Sequence, residues 1–245
     1  EKVQNGVIRN LKSRDGWSKN WNRKMYSELY PAPKKINKIK ISSDKLPDSS
    51  NLGLKNDNCT FRQKGGSNSA RTLLESFLQK RGQNYSKEIS SPLLAYDSGS
   101  RLSPHIAFGT ISIRNIVKDT QLRKEELKNH PHAEKGLWSR SINTFTSRLR
   151  WHCHFIQKLE DEPEIEFKNM HSAYDKIRSN SKELEKFEKW KKGITGFPMI
   201  DASMRSLIAN GWLNFRMRAM LMSFASYHLW LPWQQTSLHL AKLFT

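Results

Sequence analysis

The chain has 245 residues, with 42 Lys and Arg against 23 Asp and Glu, a formal net charge of +19 and an isoelectric point of about 10. That length buries a sizeable core as one or two domains, and so basic a surface attracts polyanions, nucleic acid first. Two distant cysteines, Cys59 and Cys153, exclude a disulfide scaffold and point to a reduced, cytoplasmic setting; the opening residues carry no secretory signal pattern, and Arg216, Arg218 and His228 interrupt the apolar run at 212–233, which excludes a membrane span.

Residues 1–65 hold 15 Lys and Arg against 6 Asp and Glu, with little periodic apolar pattern. Pro31, Pro33 and Pro47 break any long helix, and Ser, Asn and Asp cluster at 42–51. This stretch is expected to be a long, irregular, basic linker between domains, with a helical domain over 66–245. Gly65-Gly66 ends it, and 70–80 reads as a helix with Leu73, Leu74, Phe77 and Leu78 on one face. A loop around Ser90-Ser91-Pro92 leads to Asp97-Ser98-Gly99-Ser100-Arg101-Leu102-Ser103-Pro104. Helical patterns then occupy about 104–119, 132–160, 181–191, 198–210, 213–231 and 233–244. Strand-like alternation is almost absent, so the expected fold class is all-α. The chain begins at Glu1 and ends inside an apolar helical pattern at 240–245 with no Gly or Pro stop, so a fragment of a longer protein is expected.

Three segments carry candidate chemistry. In 99–104, Ser103 reads as the N-cap of a helix and Pro104 as its first-turn residue. The unpaired N–H groups of such a helix start, with Arg101 beside them, suit a phosphate, although an ordinary capped helix has the same pattern. In 145–156, Arg148, Trp151 and Phe155 share one helical stripe, a cation beside an indole that suits a nucleobase and its phosphate; a core tryptophan beside a solvated arginine is the competing reading. His152 and His154 are two apart on that helix and point to nearly opposite sides, so they share no metal, and no metal site is expected. The third segment, 195–207, is a tight turn around Gly196 opening into a helix with Pro198 in its first turn. Ile200, Met204, Leu207 and Ile208 share one face, and Gly211 after Asn210 is the stop signal.

That third string, Thr195-Gly196-Phe197-Pro198-Met199-Ile200-Asp201-Ala202-Ser203-Met204-Arg205-Ser206-Leu207, is preceded by Trp190-Lys191-Lys192-Gly193 and followed by Gly211-Trp212. It resembles the signature of the photolyase/cryptochrome flavoproteins. Ser100-Arg101-Leu102-Ser103-Pro104-His105, with Phe108-Gly109-Thr110-Ile111-Ser112 after it, resembles the family's diphosphate-binding turn for FAD, where Thr is frequent at the position of Gly99. Tyr85 resembles a tyrosine that contacts the same cofactor. Residues 145–156 resemble the helix with a Leu-x-Trp-Arg-Glu-Phe pattern. On that likeness Phe145 serves the cofactor, Trp151 stacks on the lesion, His152 lies on the DNA side, and Arg148 stands where dimer-repairing members carry glutamate. A guanidinium accepts no hydrogen bond, which counts against dimer repair. Gly211-Trp212-Leu213-Asn214-Phe215-Arg216-Met217-Arg218 continues the likeness. Arg216 and Arg218 lie about 200° apart on a helix; by resemblance Arg218 faces the flavin and Arg216 faces DNA. Phe215 replaces a frequent asparagine and Ala219 a frequent methionine.

The resemblance implies FAD as cofactor, DNA with pyrimidine photoproducts as substrate, a monomer, and light-driven electron transfer from reduced FAD to a photoproduct flipped out of the duplex. It also implies an antenna chromophore on an N-terminal α/β domain outside this chain. Of the family's three electron-relaying tryptophans, Trp233 matches the middle one, Asn180 takes the place of the outer one, and the innermost falls beyond Thr245. Two other functions stay open: a cryptochrome-type blue-light sensor that binds FAD without repair, and a light-independent basic DNA-binding protein.

Overall fold

The structure is a computed structural model and describes residues 16–55, 57, 59–129, 131–175, 177–178 and 184–244, with backbone alone at 132–135. Asn180, Thr245 and the first 15 residues lie outside this set. The chain builds α1 (Trp17–Met25), α2 (Ser67–Gln79), α3 (Tyr85–Glu88), α4 (Ala95–Ser98), α5 (Ser103–Ala107), α6 (Ile113–Glu126), α7 (His132–Asp161), α8 (Leu184–Lys192), α9 (Pro198–Asn210), α10 (Phe215–Ser223) and α11 (Trp233–Leu243). Short 3-10 turns and one π-helical turn, Phe224–His228, join them. No strand occurs among the described residues, and the fold is all-α as the spacing predicts. No described helix is long and apolar enough to cross a membrane.

Two large apolar clusters hold the helices, and a small third one, Leu127, Trp138 and Ile142, lies on α7 beside the end of α6. The first joins α1, α2, α3, α6 and α7 through Trp21, Met25, Leu74, Phe77, Tyr85, Ile116, Phe145, Leu149 and Cys153. The second joins α8 to α11 through Trp190, Met204, Leu207, Met217, Leu221, Leu231 and Leu240. The backbone of the first cluster is α7. At 30 residues it runs about 45 Å, and Trp138, Ile142, Phe145, Leu149 and Cys153 form one buried stripe along it.

Helix α1 departs from the expected irregular linker. Trp17, Trp21 and Met25 recur every four residues amid lysines, arginines and asparagines, so the apolar stripe is one residue wide. It becomes a helix because distant partners receive it. Trp21 and Met25 are each 2% exposed, Trp17 Nε1 donates to Gln157 Oε1 at 2.9 Å, and Arg150 Nη2 donates to Asn22 Oδ1 at 3.0 Å. Just beyond the helix, Arg114 Nη2 reaches the carbonyls of Ser27 and Glu28 at 2.9 and 2.6 Å. From Ser27 to Gly66 the described residues form only turns and irregular backbone, mostly exposed.

The helix expected over 104–119 is two helices. Gly109 takes a positive φ of 67° and ends α5, and Ser112 restarts the chain, its side chain accepting from Arg114 N at 3.2 Å. The helix expected over 213–231 stops being α-helical at Ser223, where the π-helical turn begins.

α9 matches its expected bounds, and Asp201 shows why. Its Oδ1 accepts from Thr195 N and Oγ1 at 2.8 and 2.6 Å, and its Oδ2 from Gly196 N at 2.9 Å. A first-turn carboxylate thus reaches back to tie the entry loop. Arg205 donates to the Gly193 carbonyl at 2.7 Å. Gly193 has φ 63°, and a Cβ there would lie 2.8 Å from the Asp201 carbonyl oxygen, so only glycine fits. Gly211 closes the helix at φ 65°, its N–H bonded to Leu207 O at 2.8 Å. The signature string is therefore a self-bonded cap whose physical task is local.

Candidate functional site

The loop at 95–103 is held from three sides. Arg81 Nη1 donates to the carbonyls of Asp97 and Gly99 at 2.8 and 2.6 Å, while its Nη2 and Nε hold Leu73 O and Ser76 Oγ. Gln63 Nε2 donates to Arg101 O at 3.0 Å. The Tyr96 ring sits edge-on to Trp212 at 5.8 Å and carries the Arg101 guanidinium 4.4 Å above its own face. Arg101 itself adopts φ 54°, a left-handed conformation that a long side chain rarely takes without compensation.

Asn214 ties this loop region to α10. Its Oδ1 caps α10 by accepting from Met217 N at 3.2 Å. Its Nδ2 donates to the carbonyls of Ile89 and Ser91 at 3.0 and 3.1 Å. One turn later stands Arg218. Its Nε donates to Leu213 O at 2.6 Å and its guanidinium lies 4.0 Å from the Phe244 ring centre. Burial pushes the Arg218 guanidinium down to about 10, and no described carboxylate pairs with it.

The turn departs from its expected cap. Leu102, not Ser103, holds the N-cap position, with φ −83° and ψ −7° and no side-chain cap bond; Ser103 already begins α5 and is exposed, and Pro104 lies in the first turn. The left-handed Arg101 reverses the chain one residue earlier than the sequence pattern implies, so the helix starts earlier too. Gly99 has a local reason. A Cβ on it would lie 2.5 Å from the Ala95 carbonyl oxygen, so a threonine at this position would displace backbone. Ser100 is half-buried and Leu102 is fully buried.

Tyr85 and Phe145 meet in the first core, with ring centres 5.9 Å apart and both against Phe77, at 5.4 and 4.7 Å. Burial pushes the Tyr85 phenol up to about 12, opposed by the nearby Arg148 guanidinium. Phe145, 3% exposed, is a core side chain. Further round α7, Arg148 and Phe155 are exposed, and Trp151 is 50% exposed with its ring 5.6 Å from Phe155. Trp151 also lines an open hollow of about 320 Å³ with Trp17, Ser18, Ser147, Arg150 and His154. His152 is half-buried, and burial pushes its imidazole below the usual range. Phe215 and Arg216, at the start of α10, are exposed. Among the described residues, no hydrogen bond, ion pair or ring contact joins them to Arg148 or Trp151. Trp233 is half-buried, its Nε1 donating to Asn169 Oδ1 at 2.6 Å. No group of three described His, Cys, Asp or Glu residues is arranged to hold a metal.

These positions fit a flavin dinucleotide on two observations. The Arg101 Nε is buried beside the loop with no partner, as is Gln63 Oε1, and Arg218 is a half-buried, partly desolvated cation lacking a described carboxylate. Two cations with uncommitted or desolvated nitrogens suit a diphosphate. Gln63, Arg81 and Asn214 organise the site, and sequence reasoning passed over all three. Asn214 carried a signal, an Asn directly before an apolar helical run. Gln63 and Arg81 carried none, because their partners are remote carbonyls.

The FAD binding domain of DNA photolyase, as a family, matches this chain over residues 145–245. The deoxyribodipyrimidine photo-lyase of Streptomyces griseus is 31% identical over 203 residues, covering 83% of this chain and 40% of that protein. Cryptochrome-2 of Arabidopsis thaliana is 28% identical over 233 residues, covering 89% of this chain and 36% of that protein. Among solved structures, a bacterial class III photolyase from Agrobacterium tumefaciens superimposes with a TM-score of 0.74 at 25% identity, over 91% of this chain and 46% of that one. A Synechocystis cryptochrome shares the fold with a TM-score of 0.69 at 19% identity. The chain thus spans less than half the length of the curated relatives it matches here.

Proposed function

The chain belongs to the photolyase/cryptochrome family, whose FAD-binding helical fold it has, and from that premise we propose that the protein repairs pyrimidine photoproducts in DNA under light. The cofactor is FAD, which when bound supplies the light-excited electron donor. Arg101 and Arg218 hold its diphosphate charge, and the loop tied down by Arg81 and Gln63 presents its backbone to it. Tyr85, Phe145, Ser100, Leu102 and the close-packed Gly99 form the supporting wall, and Ser103 lies at its exposed rim.

One observation carries the DNA reading: a half-exposed indole, Trp151, stands beside Phe155 on the solvent side of α7, flanked by Arg148 and by Arg150 in the adjoining hollow. An extruded base stacks on such a face for about 1–3 kcal/mol. His152 supports the same helix from its half-buried side. Arg216 and Phe215 supply exposed contacts on α10, and the net charge of +19 makes phosphate binding salt-dependent and largely blind to sequence. Trp233 is the electron-relay residue on this reading. The protein acts as a cytoplasmic monomer.

A second reading, a flavin-dependent light sensor without repair, draws support from Arg148 and Phe215. At neither position is there a carboxylate or amide to accept from, or donate to, a lesion. The deciding experiment uses the full-length, flavin-loaded protein on oligonucleotides carrying a cyclobutane dimer or a 6-4 photoproduct. Light-dependent loss of either lesion supports repair. Loss of neither, with the flavin spectrum intact, leaves the sensor. A protein that purifies without flavin supports only the light-independent DNA-binding reading.

A further inference from the structure

A second hollow, of about 390 Å³, shares no lining residue with the loop at 95–103 and lies between residues 169–174 with Arg178 and the end of α10. Its volume falls within the range of small-ligand sites, about 300–1,000 Å³. Three features set it apart from a surface dimple. The first is the backbone beneath it. α10 widens into the π-helical turn Phe224–His228, and the chain then places Trp230 at φ 59°. A bulky side chain in that conformation is a true outlier, and a π-turn inside a helix often marks a functional site. The arrangement is held by Leu229 N to Phe224 O at 3.1 Å and Leu231 N to Ala225 O at 2.9 Å, with Leu231 buried behind.

The second feature is what the strained residue carries. The Arg178 guanidinium lies 4.4 Å from the Trp230 ring centre and 5.6 Å from that of Tyr227. Its Nε donates to the Ser226 carbonyl at 3.1 Å, a carbonyl within the π-turn. The guanidinium is thereby held beside both rings by its Nε, which leaves its two terminal nitrogens to face a ligand, and no described carboxylate pairs with it. A pinned planar fork is the group that binds a phosphate through two parallel N–H donors.

The third feature is the lining. Tyr174, Tyr227 and Trp233 offer ring faces, and Met170 and Met222 offer adaptable apolar surface. Trp233 spends its indole N–H on Asn169, so its contribution to a ligand is its face. His171 accepts from Ala173 N at its Nδ1, at 3.2 Å, which leaves the ring proton on Nε2 as a donor. Tyr227 is 69% exposed, an open ring with no core to fill.

Aromatic faces beside a fixed guanidinium suit a planar ring joined to a phosphate. We propose that this hollow binds a nucleotide, with the base stacked on Tyr227 and Trp233 and the phosphate on the Arg178 fork. The nucleotide is either free or one unit of a single strand, and the two sources share this chemistry. The site is separate from the flavin turn, and its occupancy needs no light.

Isothermal titration of the full-length, flavin-loaded protein tests this with adenosine monophosphate, adenosine, inorganic phosphate and a short single-stranded oligonucleotide. Adenosine monophosphate should bind at least about tenfold more tightly than adenosine or phosphate alone, since each of those keeps one of two contacts. Arg178→Gln should remove its advantage over adenosine. Tyr227→Ala, at an exposed position that leaves folding intact, should weaken both by about fivefold or more. Competition of the oligonucleotide by the mononucleotide assigns the site to a strand as well, and its absence assigns it to the free nucleotide. The proposal is overturned if the mononucleotide binds no better than phosphate. It is equally overturned if Arg178→Gln and Tyr227→Ala leave affinity unchanged.

Discussion

Replacing Arg218 by methionine should separate stability from flavin binding. In the protein without flavin, burial lowers the guanidinium from its usual range, by two units or more, to about 10. At about 1.4 kcal/mol per unit, keeping the charge there costs about 3 kcal/mol. Methionine removes that cost and fills most of the same volume. Against it stand the lost bond from Nε to Leu213 O at 2.6 Å, worth about 1–3 kcal/mol once the carbonyl is left unpaired, and the lost cation–π contact with Phe244, worth about 0.5–1 kcal/mol. The terms nearly cancel. Urea unfolding of flavin-free Arg218→Met should therefore give a stability within about 1 kcal/mol of wild type. Flavin retention should fall by about 10- to 100-fold, the worth of a desolvated charge-assisted bond to a diphosphate. A loss of stability above about 2 kcal/mol with flavin retention unchanged would show that Arg218 is a structural cation and refute the assignment.

Asp201→Asn puts an amide nitrogen against the Gly196 N–H, so the α9 cap should lose about 1–3 kcal/mol in denaturant unfolding; a change below about 0.5 kcal/mol would mean that the cap bonds are idle. Asp201 also has a pH signature. Burial alone would raise its carboxyl, but the bonds from Thr195 and Gly196 hold it below the usual range. Its contribution is thus present above about pH 4 and lost as pH falls further. Burial pushes His105, His152 and His239 below the usual imidazole range, with Lys191 adding to the effect at His239. Neutral imidazoles suit the fold and protons suit the unfolded chain, so stability should hold above about pH 6.5 and decline toward pH 5. A denaturant midpoint that rises over that interval would contradict the burial argument. Finally, Trp151→Ala should cut discrimination between damaged and intact duplexes by about tenfold in paired titrations, with nonspecific affinity barely moved; intact discrimination would place the lesion elsewhere.

The parts of this protein that were legible in sequence are those whose signals are local. Pro198 and Gly211 bracket α9 because proline suits a first turn and glycine suits a left-handed stop, and the helix runs between them. The existence of α7 follows from spacing, although which of its faces is buried does not: Ile156 and Leu159 are exposed while Phe145 and Cys153 fill the core. Arg216 and Arg218 serve different surroundings, one exposed and one half-buried, because 200° of helix separates them. Even the error at Ser103 was a local inference, upset by a single left-handed residue, Arg101.

Tertiary structure decided which ambiguous side chains had partners. Trp17, Trp21 and Met25 look like stray apolar residues in a basic tail until α7 supplies Gln157 to the Trp17 indole and the Arg150 guanidinium to the Trp21 ring, and the first core takes in Trp21 and Met25. Gln63 and Arg101 are 38 residues apart, and Asn214 and Ile89 are 125 apart. Each bond joins a common amide to a backbone carbonyl, a group that every residue carries. Periodicity and capping reveal which way a side chain points within its own helix, because neighbouring residues set that geometry. A carbonyl met across the fold leaves no mark on the sequence beside either partner, so the loop at 95–103, the placement of Arg218 and the cradle around Arg178 exist only once the two helical clusters have packed.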